Sequence, residues 1–145
     1  MIMAVLALLG YVYLLFSLTV IYRPSNFKYS HFMIPFWSYR AILDGRHELI
    51  AENLVNVVMF VPIGFLLRVV FKTIRWKGVL FVSLSVSITI EFLQFALNRG
   101  SAEVDDVMHN LLGGIIGYGL FIIIKTLFKR GKGNKNEEEK LLAYN

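Results

Sequence analysis

Between Ser87 and Gly119 the chain reads SITIEFLQFALNRGSAEVDDVMHNLLGGIIGYG, which places a carboxylic acid, Glu91, and an amide, Gln94, inside an apolar run. Arg99, Glu103, Asp105, Asp106, His109 and Asn110 then crowd the gap before the next run. A carboxyl group in apolar surroundings is costly enough that it must be paired or protonated, which marks Glu91 for a functional role. The fixed fork of Arg99 is the natural counter-charge for these acids, or alternatively a holder for the phosphate of a lipid head group. Asp105 and Asp106 are adjacent, and although one of them can cap the amides of a following helix, two need more than one cap.

Other chemistries are weaker. Asp105, Asp106 and His109 fall at i, i+1 and i+4, a spacing common by chance, and no metal site is expected from it. Ser101, His47 and Asp105 can be written down as a triad, but no nucleophile motif surrounds the serine. The chain has no glycine-rich phosphate loop and no HExxH, and its lack of cysteine rules out disulfides, thiolate metal sites and cysteine nucleophiles. No cofactor is expected.

The elements that must position these residues follow from composition. The chain has 145 residues, 57% of them hydrophobic, well above the roughly 45–50% of a soluble domain, so most of it belongs in lipid. Hydrocarbon about 30 Å thick needs roughly 20 apolar residues in a helix. Four windows meet or approach that length: Met1 to Tyr22, Leu49 to Phe71, Gly78 to Leu97 and Val107 to Ile124. The predicted fold is all-α, a polytopic membrane protein with four transmembrane helices. The first run is longer than the apolar part of a signal peptide and no small-residue cleavage site follows it, so a retained helix is expected.

With both termini inside, the cytoplasmic side receives Arg68, Lys72, Arg75, Lys77, Lys125, Lys129, Arg130, Lys132, Lys135 and Lys140, ten in all, against Arg23, Lys28, Arg40, Arg46 and Arg99 outside, which is five. That bias predicts cytoplasmic termini, and basic residues that flank apolar runs speak for a membrane and against nucleic acid. The first outer segment, Arg23 to Glu48, carries HFMIPFWSYRAIL and is expected to lie in the interface or dip back toward the helices. Trp37 and Trp76 suit opposite interfaces. A transmembrane domain over 1–128 and a mobile cytoplasmic tail over 129–145 complete the organisation.

Helical spacing sets the inward faces. Ser83, Ser87, Glu91, Gln94 and Asn98 fall on one stripe of the third span. Asn53 and Asn56 do the same in the second, where Pro62 frees a backbone carbonyl. In the fourth, Asp106, Asn110, Gly113, Gly114 and Gly117 share a face, and Gly113 with Gly117 makes a small-xxx-small pattern. Three polar faces in lipid are expected to share one buried site, open toward the outer leaflet, from Asn53, Asn56, Glu91, Gln94, Arg99, Asp105, Asp106 and Asn110. Blander readings stand beside it: amides that join helices, serines that bond back to their own helix, and glycines that pack, with the Gly113/Gly117 face available to a homo-oligomer.

ENLVNVVMFVPIGFLL (Glu52 to Leu67) followed by EFLQFALNRGSAEVDDVMHNLLGGIIGYG (Glu91 to Gly119), with MIPFWS in the first loop, resembles the VanZ-like family of small bacterial membrane proteins. The family pattern falls on Asn53, Asn56, Phe60, Pro62 and Gly64, then on Glu91, Gln94 and Arg99, then on Asp106, Asn110, Gly113 and Gly117. The interval from Arg99 to the Asp105/Asp106 pair is about one residue longer than in the family, with Gly100 as the insertion. The resemblance implies residence in the bacterial cytoplasmic membrane and, in some members, a link to resistance against teicoplanin and related lipid-bearing glycopeptides. The expected function is binding: Arg99 and the asparagine amides engage the head of a membrane lipid or lipid-bearing glycopeptide, and Glu91 holds Arg99 in position or donates a proton-linked hydrogen bond. A membrane enzyme acting on a lipid-linked phosphate or glycan, with Glu91 or Asp106 as acid or base, and a lipid flippase are the alternatives.

Overall fold

A computed structural model describes residues 1–23, 34–100 and 102–143, with side chains as far as residue 130. Met33 of the MIPFWS stretch, Ser101 of the written-down triad and the side chains of the tail lie outside the described residues. Helix α1 (Ile2–Phe16) runs on as a π-helical turn (Ser17–Ile21), followed by the short α2 (Trp37–Leu43), then α3 (Glu48–Val70), α4 (Trp76–Ala96) and α5 (Val104–Ala143). Among the described residues four helical stretches are long and apolar enough to cross a membrane: Ile2–Ile21, Glu48–Val70, Trp76–Ala96 and Val104–Arg130. They are the four spans predicted, with ends shifted by a few residues. The helix of α5 continues to Ala143, past the boundary placed at 128/129.

The outer surface shows what these helices are built for. Leu54, Val58, Phe81, Ile88 and Phe92 are all more than half exposed, which suits helices surrounded by lipid. Inside, Leu15, Val20, Phe60, Ile63, Leu67, Val79 and Ile90 form a small core where α1, α3 and α4 meet. Packing between α3 and α5 dominates, and glycine is the reason. A Cβ on Gly113 would strike the carbonyl of Val57, one on Gly117 the carbonyl of Val61, and one on Gly64 the carbonyl of Gly114. Backbone therefore lies on backbone, the contact that drives helix association where lipid removes any hydrophobic incentive. The face expected to serve an oligomer is occupied by α3 of the same chain.

The buried serines of α4 face neighbouring helices. Ser87 Oγ accepts a hydrogen bond from Asn110 Nδ2 at 2.8 Å, and Ser83 packs against Gly114. Back-bonding is left to Ser85 and Thr89, on the exposed side. On the other flank Tyr11 donates its hydroxyl to the Met59 carbonyl at 2.9 Å, fixing the middle of α1 to α3.

Candidate functional site

The polar stripe of α4 is buried as far as Gln94: Ser83, Ser87, Glu91 and Gln94 all face inward. Asn98 leaves it. The helix ends at Ala96, and Asn98 takes a left-handed conformation (φ 56°), with Asn98 N–H donating to the Phe95 carbonyl and Arg99 N–H to that of Gln94 at 2.7 Å. This is the 6→1 and 5→2 pattern that closes a helix, and asparagine is among the few residues other than glycine that tolerate its left-handed position.

That turn aims Arg99 away from the acids. Its Nη1 donates to the backbone carbonyls of Ile21 and, at 2.8 Å, of Arg23. A helix terminus offers unpaired carbonyls and partial negative charge, so a guanidinium delivered beside it is held there. The expectation that Arg99 pairs with the acids is therefore corrected: it ties α4 to the end of the first span. The cation that does face the acids is Arg23, whose charge acts on Glu91, Glu103 and Asp106.

Asp105 is corrected as well. Its carboxylate, 1% exposed, accepts from the Phe36 amide at 2.6 Å, the Ser38 amide at 2.8 Å and the Ser38 hydroxyl at 2.7 Å. It therefore caps the start of α2 from a different helix. Asn53 donates to the same Ser38 hydroxyl at 3.3 Å, and Tyr39 pairs with His109 Nε2 at 2.8 Å. Asn53, Asp105 and His109 thus dock α2 onto α3 and α5, away from the cavity. Asp105, Asp106 and His109 have different partners, and no group of three or more metal-ligating side chains forms among the described residues.

The remaining five predicted residues converge. Glu91 accepts the Glu103 amide at 3.0 Å, and Asn56 hydrogen-bonds Asp106. Gln94 Nε2 donates to the Thr19 carbonyl at 3.0 Å. With Asn110 and Arg23 they surround a partly enclosed cavity of about 40 Å³, walled elsewhere by Leu15, Met59, Phe60 and Ile90. It adjoins a larger groove of about 560 Å³ between the end of the first span, from the π turn to Arg23, and α3, the two sharing Thr19, Arg23, Asn56, Met59 and Asp106. Leu18, Tyr22 and Val55 give that groove apolar walls, and Glu52 adds a carboxylate.

Sequence reasoning missed Arg23 and Glu52 as members of this site. A signal for Arg23 existed: it ends the first apolar run as Arg99 follows the third, so an odd-numbered pair of spans delivers both to one membrane face.

Glu103, just ahead of the last span, is pushed up to about 7 from 4.5 by burial above all, then by the charges of Asp106 and Glu52, against the lowering influence of Arg23 and a hydrogen bond from Trp37. A carboxyl whose folded pKa is raised favours the fold while protonated. Its contribution is fully present below 4.5, declines as pH rises from 4.5 to about 7, and is level above that. Melting the wild type and Glu103→Gln in detergent micelles should give a stability difference that changes across this window and flattens above it. Parallel profiles would mean that Glu103 titrates as an ordinary glutamate.

Residues 3–125 match the family described as VanZ/LLP1. The chain is 34% identical over 91 residues to Protein VanZ of Enterococcus faecium, an alignment that covers 63% of this chain and 51% of that protein. The chain thus spans about half the length of the curated relative it matches. No solved structure matches it.

Proposed function

Because the chain belongs to the VanZ/LLP1 family, we propose that it serves the cell envelope by holding the polar head of an amphiphile, a membrane lipid or a lipid-bearing glycopeptide, and that any part in teicoplanin resistance works through that hold. The observation that carries this reading is the join between a partly enclosed cavity that holds carboxyl and amide groups and an apolar-walled groove, with Arg23 lining both. A head group with a charged or hydrogen-bonding end fits the first, and the start of an acyl chain fits the second. The bias of basic residues toward the opposite end of the bundle supports an opening at the outer leaflet of the bacterial cytoplasmic membrane, with both termini inside.

Arg23 is the anion holder in this arrangement, and Arg99 is structural. Native mass spectrometry of the wild type, Arg23→Ala and Arg99→Ala, each released gently from membranes, tests the division. Arg23→Ala should lose the co-purifying amphiphile, while Arg99→Ala should keep it and melt earlier. Equal lipid in wild type and Arg23→Ala would count against the cavity as a binding site. In a susceptible bacterium, expression of the wild type should raise the inhibitory concentration of teicoplanin more than that of a glycopeptide without an acyl chain. Arg23→Ala should remove the difference.

A further inference from the structure

The cavity and groove carry more acid than one guanidinium can balance. Glu91 and Asp106 line the cavity, and Asp106 and Glu52 line the groove, which makes three carboxyl groups against Arg23 among the described residues. Arg99 does not redress this, because its Nη1 is held by the Ile21 and Arg23 carbonyls and the residue lines neither the cavity nor the groove. Acids alone do not define a ligand, but a second group in the cavity does. Gln94 is 3% exposed and its Nε2 is committed to the Thr19 carbonyl, whereas Oε1 is buried with no hydrogen-bond donor among the described residues. A buried acceptor without a donor is costly, so the group that completes this site brings N–H or O–H donors. Two carboxyl groups and an amide oxygen around a space of about 40 Å³ match an ammonium group in size, charge and donor count.

The geometry points to a zwitterionic head group: a primary ammonium seated among Glu91, Gln94 and Asp106, with the neighbouring anionic group of the same head on Arg23 at the mouth and the acyl chain in the groove between the end of the first span and α3. This rests on the head-group reading above and narrows it to one chemical class, the amine-bearing membrane phospholipids. Three donors on a primary ammonium answer the three acceptors, whereas a quaternary ammonium has the charge without the N–H, and a glycerol head has hydroxyls without the charge.

The test is native mass spectrometry of the full chain from nanodiscs that contain phosphatidylethanolamine, phosphatidylcholine and phosphatidylglycerol in equal amounts. Wild type should retain phosphatidylethanolamine over each of the others by about tenfold, because it alone brings both the charge and the N–H donors. Gln94→Met and, separately, Asp106→Asn should cut that preference, with Arg99→Ala as the control that keeps it. Preference for phosphatidylglycerol, or equal retention of phosphatidylcholine, would overturn the ammonium seat and leave the head-group reading standing. Indiscriminate lipid on the wild type would overturn both. The wild-type comparison decides even if a variant fails to fold.

Discussion

Gly117→Ala lifts α5 off α3 and lowers the stability of the bundle by at least about 3 kcal/mol, the upper end of what overpacking costs when side chains can adjust. Here they cannot adjust. The added Cβ would meet the carbonyl of Val61 and the amide of Phe65, both backbone atoms of a helix that also packs on α1 and α4. Gly113→Ala meets the Val57 carbonyl and should behave alike. Gly119 lies two residues further along α5 with nothing within 4 Å of its Cβ position, so Gly119→Ala should be neutral or slightly stabilising through the better helix propensity of alanine. Unfolding followed by circular dichroism in mixed micelles compares the three. A Gly117→Ala protein that unfolds with the wild type would show that α3 and α5 are not in backbone contact.

Asp105→Ala is the second large effect, and a local one. The carboxylate satisfies two amides and a hydroxyl at the start of α2, with Asp105 and Ser38 themselves closed to water. Removing it strands three donors and should cost about 3–5 kcal/mol. Asp105→Asn should be nearly as harmful, because its amide turns a donor toward donors. The loss concentrates in α2, which has seven residues and no side-chain cap of its own. Hydrogen exchange should find the amides of α2 unprotected while those of α3 and α5 stay slow. Unchanged protection of α2 would refute the capping role. Measured against head-group retention, this variant also separates the docking cluster from the cavity.

How much of the molecule can be read in advance depends on how each signal arises. Span lengths and inward faces depend on one helix at a time, and the stripe of Ser83, Ser87, Glu91 and Gln94 is visible as periodicity alone. Contacts between distant segments leave no such trace. The small-xxx-small pattern of Gly113 and Gly117 announces a close approach, but a pattern on one helix cannot say which helix approaches, and α3 of the same chain is the answer. Asp105 and Asp106 are neighbours of one type, yet successive helical positions point about 100° apart, which sends one carboxylate to α2 and the other to the cavity. Arg99 escapes sequence reasoning for a similar reason: the charge count around it favours the acids, while the left-handed turn at Asn98 decides its direction.

The π turn at Ser17–Ile21 has a consequence for register. Such a turn is the mark that one surplus residue leaves in an α-helix, and each residue rotates the chain beyond it by about 100°. Everything downstream of Phe16 is therefore turned by more than a quarter of a revolution relative to a regular α1. Arg23 meets Glu91 and Asp106 in that rotated frame. A single-residue deletion within Ser17–Ile21 would restore ordinary pitch, keep every charged side chain in the protein, and swing the guanidinium off the acids. The first helix, whose span contains no acid or base at all, would then control the charge of the cavity purely by its count of residues.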